Sequence, residues 1–278
     1  MNSSTVLTVL VALVVLLAGC GGAAVSEDGG DGAAGGSDGS DGDSASGSGG
    51  DAGSSGSGDD SADQSFAVTD SEQALRDAGS FTATWTFTMT DANGTEATMS
   101  SAYVVDLDTE RSHESFSIDG EAEAVEFETF YADGMAYTKL GDGEQSFFQV
   151  RPDDTDLVEN ALARAITGYD EFDDAQFTGT ESFDGDTVDR FVYSDPAVWQ
   201  QYGTGTFGTE QNVTVTDFTV VVLVDQNGLA RSTEWTVNGE TEAGETVSAG
   251  WRYTVTDVGT TSVEDPDWLD AARAQSQG

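Results

Sequence analysis

The sequence predicts an α+β fold that is mostly β: a curved antiparallel sheet of about ten or eleven strands wrapped over two or three helices. Three observations carry that expectation. Apolar and polar residues alternate with a period of two over long stretches, turn dipeptides fall between those stretches, and helical periodicity is confined to short segments.

In chain order, Thr69-Asp70-Ser71-Glu72 has capping-box spacing and opens a helix that ends near Gly79. Phe81, Ala83, Trp85, Phe87 and Met89 then alternate with threonines, the pattern of a strand with one apolar face. Strands follow at about 96–107, 111–118, 124–131, 134–140 and 145–150. From Thr155 to Thr167, Leu157, Val158, Ala161, Leu162, Ala165 and Ile166 form one helical stripe with Gly168 as its stop, wide enough to pack on the sheet. Further strands read at about 175–183, 187–194, 213–225, 229–238 and 247–255. Between Val213 and Val224 the apolar phase slips from odd to even positions after Val215, which predicts a bulge near Thr216-Asp217. A short last helix is expected from Asp265-Pro266. Asn93-Gly94, Asp133-Gly134 and Asn227-Gly228 each join two strand-like segments, so consecutive strands pair as hairpins. One face of the sheet is then apolar and aromatic, and the other is Thr, Ser and acids.

This domain, residues 64–278, follows two segments of other kinds. An apolar run from Val6 to Leu17 closes on Leu17-Ala18-Gly19-Cys20, and Cys20 is the single cysteine. The run is shorter than the roughly 20 residues that a bilayer core needs, so it reads as a secretory signal over 1–19 rather than as an uncleaved anchor. Its ending resembles the lipobox of bacterial and archaeal lipoproteins, which implies cleavage between Gly19 and Cys20 and a lipid on Cys20. No Lys or Arg precedes the run and no twin arginine is present, which points to the general secretory route. Residues 21–63 hold 15 Gly, 10 Ser and 10 acids with no aromatic, a composition that builds no core and reads as a self-repelling tether. The expected location is the outer face of the cell membrane, held by that lipid.

Charge narrows the partners. The chain has 52 acidic and 9 basic residues, a formal charge of −43, and one lysine, Lys139. Acid excess spread along the whole length, with almost no lysine, is the pattern of a halophile surface; salt would screen the self-repulsion. Nucleic acid is excluded as a partner because no basic stripe exists to meet phosphates. A monomer is favoured.

Catalytic constellations are missing. His113 is the sole histidine, near Glu110 and Glu114 on a strand, and reads as a surface residue. No nucleophile elbow, phosphate loop or His/Cys metal set occurs, and acid pairs such as Asp153-Asp154 carry no information in so acidic a chain. The expectation is a non-enzyme with no cofactor and no metal. Two sequons, Asn93-Gly94-Thr95 and Asn212-Val213-Thr214, are possible glycosylation sites. Trp85, Phe87, Tyr137, Leu162, Trp235, Trp251 and Tyr253 fall mostly on apolar phases, as ordinary core or as the lining of an apolar cavity.

Two hairpins carry a resemblance. Phe130-Tyr131-Ala132-Asp133-Gly134-Met135-Ala136-Tyr137-Thr138-Lys139 resembles the Tyr-x-Asp-Gly-x-x-Tyr-x-Lys hairpin of the LolA-like and mycobacterial LppX-like lipoprotein superfamily. Asp225-Gln226-Asn227-Gly228-Leu229-Ala230-Arg231 resembles its later Asp-x-x-Gly-Leu-x-Arg hairpin. The whole layout is similar to that of haloarchaeal lipoproteins of uncharacterised function. The resemblance implies an open, unclosed barrel and, in some members, a cavity for lipid or acyl chains. The expected role is therefore a non-catalytic, lipid-anchored lipoprotein that binds or carries an apolar ligand; the alternative is a structural or adhesive envelope module.

Overall fold

Eleven antiparallel strands form one unclosed sheet in the computed structural model, which describes residues 65–120, 125–141, 146–164, 172, 174–197, 199 and 213–276. The strands are β1 (Ser80–Thr90), β2 (Glu96–Asp106), β3 (Arg111–Asp119), β4 (Val125–Ala132), β5 (Met135–Leu140), β6 (Phe147–Pro152), β7 (Gln176–Phe183), β8 (Asp186–Tyr193), β9 (Val213–Asp225), β10 (Ala230–Thr241) and β11 (Thr246–Thr256). Three short helices are described from end to end: α1 (Ser71–Ala78), α2 (Leu157–Leu162) and α3 (Leu269–Gln275).

The order across the sheet is β6-β5-β4-β3-β2-β1-β11-β10-β9-β8-β7. Two sequential meanders, β1–β6 and β7–β11, thus meet where β1 pairs with β11, and β6 and β7 become the two edges. The hairpins form where the turn dipeptides stand. At Asp133-Gly134 both residues take positive φ, 56° and 70°, as the tight turn that matches strand twist requires. Asp91 and Asp225 each hold their turn through side-chain oxygens, which accept from the backbone N–H groups of Asn93 and Thr95, and of Asn227 and Leu229. These bonds outweigh burial and keep the Asp91 carboxyl below its ordinary pKa.

The expected bulge is present. Asn238 faces Asp217 and Gly239 faces Val215, which leaves Thr216 as the extra residue. A second slip, between Ala230 and Ser232, leaves Arg231 unpaired in the ladder.

The helices differ from the sequence expectation in extent. α1 starts after an Asp70 cap, with Gln73 N–H donating to it, and stops at Gly79 with φ 76°. α2 ends at Leu162, followed by a turn at 163–164, and the rest of its expected stripe lies outside the described residues. α3 begins at Leu269 rather than at Pro266, because the Pro266 carbonyl accepts from Leu269 N–H in a separate turn.

Both faces carry apolar cores. α1 and α2 lie on what we call the inner face, where Leu75, Ala161 and Leu162 pack with Phe81, Tyr103, Val105 and Tyr253. A second core joins it under β8–β11, around Phe191, Val220, Val222 and Val237. α3 lies instead on the outer face, where Leu269 and Ala272 cover Phe130, Ala132 and Tyr137. The expected polar outer face holds along most of β1 to β3, whose hydroxyls pair across strands (Thr88 with Thr98, Ser100 with Ser117), but gives way to apolar packing at Val104 of β2 and on β4 to β6 under α3.

Candidate functional site

Strand register places the inner-face side chains in two transverse rows. One runs Tyr253, Trp85, Ser101, Phe116, Phe127, Leu140, Phe147 from β11 to β6. The other runs Trp235, Trp251, Phe87, Met99, Ile118, Val125 from β10 to β4. Rings touch along both: Trp85 and Phe116 centroids lie 5.9 Å apart, Phe116 stacks on Phe127 at 4.9 Å, and Phe87 meets Trp235 edge-on at 6.1 Å. The rows are buried at one end and open at the other. Tyr253 is buried, Trp85, Phe87, Trp235 and Trp251 are half-buried, and Val125, Leu140 and Phe147 are 47%, 42% and 57% exposed. Large apolar side chains left in water side by side on one sheet face are unusual in a monomeric soluble domain.

A charged rung borders the rows. Arg164, just past α2, places Nη1 2.9 Å from Glu114 and its guanidinium 4.4 Å over the Tyr103 ring. Burial disfavours the Arg164 cation, but Glu114 outweighs it and holds the pKa above normal; burial also raises Tyr103.

The outer face carries a different constellation. Glu128 accepts from Lys139 Nζ and from Trp268 Nε1, both at 2.9 Å, and lies 3.0 Å from His113 Nε2. Partial burial pushes the Glu128 carboxyl up, yet these partners prevail and leave its pKa below normal. The single lysine and the single histidine thus meet on one carboxylate, which ties the segment before α3 to the sheet. Depressions of about 430 and 810 Å³ both include Glu128 and Lys139 in their linings. The first is lined by hydroxyls, among them Thr84, Thr86, Ser100 and Ser117. Among the described residues, no group of three or more His, Cys, Asp or Glu could hold a metal ion, and no helix is long and apolar enough to cross a membrane.

Of the residues expected to line an apolar site, Trp85, Phe87, Trp235, Trp251 and Tyr253 share the inner face and Leu162 supports it from α2. Tyr137 points to the outer face, under α3. Asn93 is exposed in the β1–β2 turn; Gly19, Cys20 and Asn212 lie outside the described residues. Sequence reasoning passed over Val125, Leu140 and Phe147, because a strand pattern does not say which apolar positions a helix will leave uncovered.

It also passed over Arg231. This buried side chain donates Nε to the Val255 carbonyl at 3.0 Å and its two terminal nitrogens to Asp186 and Asp184 at 2.8 Å, with Asp225 at 3.7 Å. The signal was the Asp-x-x-Gly-Leu-x-Arg spacing: Asp225 holds the turn, Leu229 enters the core, and the bulge aims Arg231 at the three acids.

Comparison with known proteins gives distant similarities. No curated protein matches the chain in sequence. The crystal structure of MucB in complex with MucA(peri) is similar at 13% identity and a TM-score of 0.27, over 71% of this chain and 56% of that one. The LolA superfamily protein NE2245 from Nitrosomonas europaea is similar at 11% identity and a TM-score of 0.22, over 72% and 93%. The chain spans little more than half the length of MucB, and at these scores neither similarity says anything of function. Over residues 5–272 the chain matches, and therefore belongs to, the family of unknown function DUF7537.

Proposed function

We propose that this chain is a lipid-anchored, outward-facing, non-catalytic lipoprotein whose inner face binds an apolar ligand, a lipid chain being the class that fits. The observation that carries this reading is the pair of apolar rows open at Val125, Leu140 and Phe147. Seven strands, six spacings of roughly 4.8 Å, make the longer row about 29 Å, ample for the roughly 15 Å of one leaflet's hydrocarbon. Apolar surface removed from water contributes about 25 cal/mol per Å², so covering the open end is the natural driving force. Cys20 would supply the anchor and residues 21–63 the reach, at high salt on a cell surface.

The test is native mass spectrometry of the chain carrying Cys20→Ser, so that no acyl group is attached covalently, made in a halophilic host. The expected result is extra mass that denaturation releases as lipid and that Trp85→Ala with Phe147→Glu removes. A bare polypeptide mass, or sugar alone on Asn93 or Asn212, sinks the ligand reading and moves the role to a structural envelope module. Lipidation is checked separately, by whether Cys20→Ser moves the protein from the membrane to the medium.

A further inference from the structure

β6 is an edge strand, with no neighbour on its outer side among the described residues. Two backbone hydrogen bonds decide which groups that edge offers. Gly141 N–H donates to the Glu126 carbonyl at 3.0 Å, and Asp153 N–H donates to the Gly134 carbonyl at 2.9 Å. Antiparallel pairs alternate between bonded and non-bonded. Both bonds therefore make Ala136–Arg151, Thr138–Gln149 and Leu140–Phe147 the bonded pairs of β5 and β6. The N–H and C=O of Phe148 and Val150 then face outward, as does the Pro152 carbonyl. Pro152, which has no N–H, sits at an outward position, where β5 loses nothing.

Composition sets this edge apart. In a chain with 52 acids, β5 and β6 contain none and hold Lys139 and Arg151. The other edge, β7, carries Glu181 and has a register shift between Phe177 and Gly179, devices that discourage pairing between edges. β6 has no acid and no register shift, its one charge and its proline stand together at its C-terminal end, and it presents Phe147 at 57% exposure.

We propose that β6 is an interface with a second copy of this chain: two β6 strands pair antiparallel about a two-fold axis normal to the sheet at Gln149. Residues facing each other across an antiparallel pair lie on one face, so this register is internally consistent. Phe148 faces the partner's Val150 in a bonded pair, and its symmetry mate repeats the exchange. Gln149 faces the partner's Gln149 at a non-bonded position. On the inner face Phe147 meets the partner's Arg151, an aromatic ring against a cation. A shift of two residues toward the C-terminus would set Phe148 opposite the partner's Pro152 and lose a donor. With the axis normal to the sheet, both inner faces point the same way. The pairing is independent of what those faces bind.

The test uses the full chain with Cys20→Ser, so that Gln149→Cys is its only thiol, in molar KCl with diamide as oxidant. Non-bonded antiparallel positions bring Cα atoms to about 4.5 Å, within disulfide reach. The expected result is a covalent dimer that reductant dissolves, formed by Gln149→Cys and at least tenfold less by Thr180→Cys on β7. Sedimentation of the Cys20→Ser chain should show a dimer that tightens with salt, and Arg151→Glu should raise its dissociation constant at least tenfold. A monomer at all concentrations and salts, equal cross-linking at Thr180→Cys, or an unchanged constant in Arg151→Glu overturns the proposal. Arg151 and Gln149 are surface positions on a strand already paired with β5, so their variants keep the fold.

Discussion

Replacing Arg231 with Met keeps most of the buried stem and removes the guanidinium. The Arg231 side chain is 4% exposed, and around it the Asp225, Asp184 and Asp186 side chains are 10%, 30% and 61% exposed. Asp186 and in part Asp184 can take up water in exchange, but Asp225 and the Val255 carbonyl cannot. Breaking a buried ion pair by removing one partner costs about 3–5 kcal/mol, and the partial exposure of two acids places Arg231→Met near the lower end, about 3–4 kcal/mol. With a urea slope of about 2–3 kcal/mol/M, the unfolding midpoint should fall by roughly 1–2 M. The assay is urea unfolding in molar KCl, where the deficit should persist because buried pairs are screened little. Adding Asp225→Asn and Asp184→Asn should restore at least half the loss, since the penalty comes from stranded charge. Arg252→Ala, which breaks an exposed pair with Glu234 on β10, should cost less than about 1 kcal/mol. An Arg231→Met loss below about 1 kcal/mol, or no recovery in the triple variant, would refute the reasoning.

Two further outcomes follow from other residues. Glu128 has a folded-state pKa below its unfolded value, so its contribution is full above the ordinary carboxylate range and is lost as pH falls through the depressed pKa. The urea-midpoint gap between the wild type and Glu128→Gln should be full near pH 6 and close in acid; a pH-independent gap refutes that linkage. Gly228 has φ +84°, and a Cβ built there falls 2.6 Å from Thr69 Cγ2, whereas one at Gly134, φ +70°, meets nothing within 4 Å. Gly134→Ala should cost about 1 kcal/mol for the left-handed backbone. Gly228→Ala should cost clearly more in the same thermal unfolding assay, and equal costs would show that the contact at Thr69 relaxes.

Local signals were legible because they act over a few residues. The threonine alternation of β1, the Asn-Gly and Asp-Gly turns and the phase slip at Thr216 each correspond to a strand, a hairpin or a bulge in the structure. Long-range features were not. Nothing local says that β1 pairs with β11, that α3 settles on the outer face, or that Arg231 is thrown out of register toward acids on the neighbouring hairpin. Tyr137 illustrates the limit: β4 carries Val125 and Phe127 on one phase and Phe130 and Ala132 on the other, a sign that both faces are apolar there, but not which of them a helix covers. The open apolar end depends on how far two short helices reach, which packing decides.

The junction of β1 with β11 also governs how this chain reaches its native state. Thr84 and Thr254, bonded across it, are 170 residues apart. Every other pairing joins neighbouring strands of a meander, so each half can zip locally. Closing the junction costs roughly 4.5 kcal/mol in the logarithmic loop term, repaid only once the strand pairs lock. Synthesis delivers β11 after the other ten strands of the sheet, and until then β1 is a bare edge rich in aromatics. The nascent chain is therefore most exposed to misassembly just before β11 emerges, and slow, concentration-sensitive refolding should follow from this one seam.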